Sequence, residues 1–439
     1  MGSTAYEQYA RDLSLLAASI RRDPWDRVEQ DVHAALNGHA ARMLRTLVPL
    51  EFRRQTGAFF TSGPARDRFA DLLAPADDAE QTAVFWDPTC GAGDLLLAAA
   101  DTFPIRNTLS ATLRAWNRSL HGHELQPAFA EVARLRLFIA AAARHRARGD
   151  KVRTNPEAGS RAFNNVHVSD GLAALRTHKR FKGHIVLNPP FGPVQADAGC
   201  DWSSGMTSQA GIFFLEAAMT LAFGGTITAI LPDVLRSGSR YRYWRERVSK
   251  LLEIKKISPF GRFDRYTNVD VFLLQGRRLF ASETPSAETQ WWRSLNASAY
   301  LEDLFNVRVG SVVDNRDPHE GREAPFLTAR CMPPSGQMEV PERRRKYSGR
   351  LITPPFVAVR RTSRPNSDGS SRVRGVLLTG DEPIAVDNHL ITLSPKSGNV
   401  DECFRLLEIL ASDEVAMWLD ERIRCRHLTV GIIRSIPWR

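Results

Sequence analysis

Between Ala83 and Arg278 the chain alternates short β-rich apolar runs with amphipathic stretches of helical period. The runs are AVFWDP (Ala83–Pro88), SLHGHEL (Ser119–Leu125), VHVSD (Val166–Asp170), HIVLNPP (His184–Pro190), GTITAILPD (Gly225–Asp233), EIKKISPF (Glu253–Phe260) and VDVFLLQG (Val269–Gly276). Helical segments such as QPAFAEVARLRLFIAAAARHRAR and QAGIFFLEAAMTLAF separate them. Alternation of this kind predicts an α/β domain built on a parallel, doubly wound sheet. Ligands of such sheets bind outside the carboxyl ends of the strands, so the residues that end each run are the ones to read for chemistry.

The flanking sequence reads differently. Residues 1–50 form a helical N-terminal segment, with Asp23-Pro24 as N-cap and first-turn proline and Val28, Val32, Ala35, Met43 and Leu47 at helical spacing. The α/β domain spans 51–282. From 283 to 439 the alternation is lost: short strands (FVAVRR, GVLLTG, HLITLSP), loops such as RPNSDGSSR and the helical CFRLLEILASDEVAMWLDERIR predict a mixed α+β second domain. A chain of 439 residues has room for two or three such domains. No apolar run approaches the roughly 18 residues of a membrane span, and the N-terminus lacks the order of a secretion signal. Five scattered cysteines without a C-x-x-C pair argue against a disulfide framework and fit a cytoplasmic location. Net charge is +10 with pI about 9.7, which favours an anionic partner. From Pro341 to Gly375, ten basic residues face two acids, a net of +8 within 35 residues. These are Arg343, Arg344, Arg345, Lys346, Arg350, Arg360, Arg361, Arg364, Arg372 and Arg374. The run reads as a solvated loop or as a surface that contacts nucleic acid.

The first strand ends in DPTCGAGDLLL. Gly91 and Gly93 permit a tight turn and close approach to a ligand at a helix start, with Asp87 and Thr89 beside them. The pattern is neither a dinucleotide fingerprint nor a phosphate-binding loop, and Asp87 would repel a phosphate. The second strand ends at Glu124-Leu125, an acid placed for ribose hydroxyls, and the third at Asp170-Gly171, an acid placed for an adenine amine. Three acids ending successive strands describe a pocket for a cationic nucleoside without phosphate, and S-adenosylmethionine has those features. The fourth strand ends in Asn188-Pro189-Pro190-Phe191. The prolines stop the ladder and hold nearby carbonyls in fixed directions. The Asn188 side-chain oxygen and the Pro189 carbonyl can then accept both N–H groups of an aromatic amine, while Phe191 stacks on its ring.

These stretches resemble the N6-adenine DNA amino-methyltransferases in which the motifs run cofactor, catalysis, then target recognition; type I modification subunits and stand-alone type II modification enzymes are such proteins. The resemblance covers Thr56 to Arg278. TGAFFTS is similar to the segment before the first strand, and Thr61 matches the threonine that reaches the methionine end of the cofactor; Ser62 stands where the family usually has proline. FFLEAAMTLAFGGTITAILP resembles the next helix–strand unit, which implies that Phe214 lines the adenine. FGRFDRYTNVDVFLL resembles the segment whose aromatic clamps a flipped base opposite Phe191; Phe263 fits, with Phe260 and Tyr266 as rivals. The resemblance implies an AdoMet-dependent methyltransferase sheet, base flipping in double-stranded DNA, and a C-terminal recognition domain whose basic run meets phosphates. It also suggests a restriction endonuclease or specificity subunit as partner, and neither metal nor membrane. The terminal LTVGIIRSIPW resembles the close of such domains. The same chemistry on RNA or on a protein glutamine, and a DNA-reading subunit without activity, are the rival readings. His121 and His123 share a strand face without a further ligand at metal spacing, and Cys90 has no histidine near it in sequence to activate it.

Overall fold

The computed structural model describes residues 4–61, 63–73, 83–197, 199–264, 266, 269–284, 291–292, 297–362, 373–422 and 428–438. Ser62, Arg364 and Arg372 lie outside these. The chain divides into two compact units, Met1–Thr289 and Gln290–Arg439.

The first unit opens with helices α1 (Thr4–Arg22), α2 (Trp25–Leu36), α3 (His39–Leu47), α4 (Leu50–Thr56) and α5 (Gly63–Leu73). Strand β1 (Phe85–Asp87), α6 (Asp94–Asp101), α7 (Leu109–Ser119), β2 (Leu120–Glu124), α8 (Pro127–Ala147), α9 (Pro156–Arg161), β3 (Val166–Val168), α10 (Gly171–Thr177) and β4 (His184–Leu187) follow. A small hairpin of β5 (Pro193–Gln195) and β6 (Met206–Ser208) leads to α11 (Gln209–Thr220), β7 (Thr226–Pro232), α12 (Asp233–Ser237), α13 (Arg242–Leu251), β8 (Leu252–Arg262) and β9 (Asp270–Arg278). Seven strands form one sheet in the order β3-β2-β1-β4-β7-β9-β8.

All seven predicted strands are present, but the sheet is not wholly parallel. Strand β9 runs antiparallel to both β7 and β8. Among the described residues no helix separates β8 from β9, and a short connection returns the chain in the opposite direction. The N-terminal helices do not stand apart either. Tyr6, Tyr9, Val32 and Leu44 join Leu96, Phe129 and Phe138 in one buried core. The Arg136 guanidinium on α8 donates to the carbonyls of Ala35 (3.0 Å) and Leu36 (3.2 Å) at the end of α2 and to Ala92 (2.6 Å) in the glycine turn. It also pairs at 2.8 Å with Asp94, and both side chains are buried. Helix α2 begins at Trp25 with Pro24 as its flanking residue, one position later than expected.

The second unit carries a five-stranded sheet in the order Phe305–Val309, Leu390–Pro395, Phe356–Arg360, Gly375–Leu378, Gly336–Met338. Alternate residues serve two faces, as strand geometry requires. Val357, Leu377 and Leu393 pack against Leu406 and Trp418 of the helices Val400–Ala411 and Asp413–Arg422. Phe356, Val376 and Leu390 pack with Leu327 and Met332 on the other face. Arg344–Tyr347, Arg322–Leu327 and Ala385–Val386 make a three-stranded sheet, so part of the basic run is strand rather than loop.

Candidate active site

The carboxyl ends of β1, β2, β3 and β4 lie side by side. Parallel pairing sets Asp87 opposite Gly122, Glu124 opposite Val168, and Trp86 opposite Ile185. Asp87, Glu124, Asp170 and Asn188 therefore end neighbouring strands, as the sequence predicts.

Asp87 is 1% exposed. Burial pushes its carboxyl up to about 7, and the N–H (2.9 Å) and hydroxyl (3.4 Å) that Thr89 donates only partly offset this. Glu124 is also pushed up to about 7 by burial, against backbone N–H groups of Gln126 (2.7 Å), Gly91 and Leu125. The turn between them needs glycine. Gly91 and Gly93 have φ of 53° and 82°, and a Cβ on Gly91 would lie 2.9 Å from the Phe60 ring. A Cβ on Gly171 would sit 1.7 Å from the Pro88 carbonyl oxygen, so the third strand end presses directly on the first. Asp170 caps α10, one oxygen accepting from Leu172 (2.8 Å) and Ala173 (3.3 Å). Beside Glu124, Leu125 is 62% exposed, an apolar side chain open to solvent.

The segment Gly57–Thr61 bridges the glycine turn and the fourth strand end. Phe60 lies on Gly91, and a Cβ on Gly57 would come within 2.2 Å of the Pro190 Cβ. Asn188 Nδ2 donates to Thr61 Oγ1 at 2.9 Å and approaches the Phe59 carbonyl at 3.5 Å. With its N–H groups turned toward this segment, the Asn188 amide holds Oδ1 in the opposite direction as an acceptor. Thr61 is 3% exposed, and its observed partner is Asn188. The sequence pattern singles out Thr61 in this segment and not Gly57, Phe59 or Phe60. Only the positive φ that Gly57 supplies as C-cap of α4 hints at its role.

Other expected residues lie differently. Phe214 is fully buried with its ring 5.5 Å from Trp244, so no face of it lines a cofactor groove; its helix turns it inward. Phe263 does meet Phe191, but edge-on, at 5.5 Å and 84°, with no slot between the rings. Of the rivals, Phe260 packs against the same core, while Tyr266 is 58% exposed. Cys90 is buried, and burial pushes its thiol far up, a state suited to packing.

Part of the basic run in the second unit is engaged within the protein. Strand alternation turns Arg345 inward, 3% exposed, where it pairs with Asp314 and donates to the Asp317 carbonyl at 2.7 Å. Arg343 pairs with Asp314 (3.1 Å) and Arg344 with Glu382. Arg360 turns its guanidinium to the carbonyls of Pro333 (3.2 Å), Ala329 (3.3 Å) and Met332 (2.5 Å), and Arg361 donates to Asn388 (3.4 Å). Lys346, Arg350 and Arg374 are exposed. The expected phosphate surface thus loses Arg345 and Arg360 to structural roles.

Neither a family model nor a curated protein sequence matches the chain. Solved structures do. The type IIL restriction-modification enzyme MmeI, solved in complex with DNA, matches 90% of this chain and 70% of its own at a TM-score of 0.52 and 11% identity. A chain of a type I restriction-modification complex matches 54% of this chain at 19% identity and a TM-score of 0.37. A putative class I S-adenosylmethionine-dependent methyltransferase from Listeria monocytogenes matches 65% of this chain and 90% of its own, at 12% identity and a TM-score of 0.39. The chain spans 46% of the type I chain's length. The fold is shared with the type IIL enzyme, a mixed α/β architecture on a mostly parallel sheet.

Proposed function

We propose that this chain is an S-adenosylmethionine-dependent DNA methyltransferase that acts on the N6 amine of an adenine flipped out of duplex DNA, as the modification arm of a restriction-modification system. The observation that carries the reading is the Asn188 amide, whose donor side is engaged by Thr61 so that Oδ1 is held as an acceptor at the end of β4. The strand ends beside it suit the cofactor: Gly91 and Gly93, at positive φ, let the turn close tightly between Asp87 and the start of α6, and two carboxyls raised to about 7 await cationic or hydroxyl partners. Bound S-adenosylmethionine supplies a methyl group activated on a sulfonium.

Glu124 accepts the ribose hydroxyls, Leu125 covers the adenine and the second Asp170 oxygen takes its amine. Ionised Asp87 faces the positive end of the cofactor. Asn188 Oδ1 and the Pro189 carbonyl accept the two N–H groups of the target amine and draw its lone pair out of the ring. The alkylated nitrogen then loses its proton readily, so positioning and fixed polarity do most of the work. Entry of a base requires the edge-on Phe191 and Phe263 rings to part, since two stacked contacts of about 3.5 Å each must fit between them. A fold shared with a DNA-bound restriction-modification enzyme supports DNA as substrate.

Transfer of labelled methyl to unmethylated bacterial genomic DNA tests the reading. Label is expected in N6-methyladenine, falling on the order of 10²–10³-fold in Asn188→Ala, as for loss of one preorganised hydrogen-bonding group. A wild-type protein that binds S-adenosylmethionine and labels no DNA defeats it, and label on RNA or a release-factor glutamine would reassign the substrate.

A further inference from the structure

A DNA enzyme must grip phosphates close to the nucleotide it extrudes, because flipping costs a few kcal/mol and fixed backbone contacts hold the register. The run at 341–375 supplies fewer open cations than its composition promises, which turns attention to the positive charge of the catalytic unit itself. Residues 39–56 carry Arg42, Arg45, Arg53 and Arg54 against a single acid, Glu51. Their helices, α3 and α4, run directly into the segment that touches Asn188 and Pro190.

A second link fixes them to the catalytic strand end. The Arg45 guanidinium lies 4.5 Å over the Tyr266 ring and 3.8 Å from Asp264. Asp264 directly follows Phe263, whose ring meets Phe191. Arg53 is anchored through Nε to the Val48 carbonyl at 3.1 Å. Its guanidinium is held below its ordinary pKa by burial first and then by the neighbouring charges of Arg45 and Arg54, against Asp264. Three like charges are gathered here against the single carboxylate of Asp264, so a further anion among them would relieve repulsion. Arg54 is exposed, Arg45 and Arg53 half-exposed, and Tyr266 projects into solvent. A guanidinium stacked on an aromatic ring presents its remaining N–H groups as a rigid fork, the geometry that suits a phosphate.

We propose that Arg45, Arg53 and Arg54, with Tyr266, form a phosphate clamp on the catalytic unit that holds the duplex DNA backbone beside the extruded nucleotide. The clamp rests on the DNA reading above and adds a site to it: the N-terminal helices serve as part of the substrate surface as well as of the core.

Binding of the full chain to a fluorescently labelled duplex, followed by anisotropy between 50 and 200 mM salt, tests it without methyl transfer. Each phosphate contact contributes about 0.9 to the slope of log affinity against log salt. The double variant Arg45→Gln/Arg54→Gln is expected to lower that slope by about 1.8 while S-adenosylmethionine still binds by calorimetry. Arg54→Gln alone, on an exposed side chain, should lower it by about 0.9, and Arg54→Lys should restore it. An unchanged slope in the double variant overturns the clamp alone. A chain that binds DNA with the expected slopes and transfers no methyl overturns the reaction alone. Failure of wild type to bind DNA at low salt overturns both.

Discussion

Asp87 occupies a strand end where an ionised carboxyl is costly, since its folded pKa of about 7 stands well above the ordinary 3.8. The folded state holds the proton more tightly than the unfolded one, so stability from this group is full at low pH and falls as pH rises from about 4 to 7. A shift of this size corresponds to roughly 4 kcal/mol above pH 7, as an order of magnitude. Asp87→Asn should therefore raise the melting temperature at pH 8, with little change at pH 4, while it abolishes cofactor binding; calorimetry of both quantities decides this. In wild type, cofactor affinity should weaken as pH falls below about 7, because binding draws on the ionised forms of Asp87 and Glu124. An affinity flat from pH 8 to 6 would count against ionised acids in the pocket. The identities of these acids were legible from their places at the ends of apolar runs. Their burial was not, and neither was the Asn188–Thr61 bond, which joins residues 127 positions apart. No local pattern encodes a partner at that distance.

At the scale of elements, the segment Gly57–Thr61 bridges the glycine turn and the end of β4. Gly57→Ala would set a methyl group into Pro190 at a position with φ of 66°. Its expected effect is a loss of methyl transfer on the order of 10²-fold, the scale of a small misplacement in a positioned site, with cofactor affinity preserved. Equal loss of both would mean that the segment only supports the fold. Arg136 ties the N-terminal helices to the same turn. Arg136→Met leaves Asp94 buried and without its guanidinium, a change worth about 3–5 kcal/mol, measurable by denaturant unfolding. Each strand of this sheet was legible as a β-rich apolar run, most of them with helix on either side. The alternation failed at β9, whose direction is set by a short return from β8. It failed also for the N-terminal helices, whose spacing shows an apolar face but not what that face covers. Phe214 illustrates the same limit: a helix of mostly apolar residues such as α11 does not declare which of them points at a ligand.

For the whole molecule, the net charge of +10 says that an anionic partner is favoured, and its distribution says where. The composition of residues 341–375 overstates their reach, because β alternation buries Arg345 and backbone carbonyls engage Arg360. Two classes of substitution in one short stretch should then part company. Arg345→Ala removes the partner of Asp314 and of the Asp317 carbonyl. It should destabilise the protein by about 1–3 kcal/mol, the scale of a broken charged hydrogen bond, and leave the salt slope of DNA binding unchanged. Lys346→Gln with Arg374→Gln alters exposed side chains, so stability should move by no more than about 0.5 kcal/mol. The slope should fall by about 0.9 for each of the two that meets a phosphate. Thermal unfolding and salt titration of the same proteins separate the classes. A slope that drops with Arg345→Ala at unchanged stability would mean that this strand opens to expose its buried arginine on DNA. The ordered alternation of Arg344, Arg345 and Lys346 would then be a property of the free protein alone.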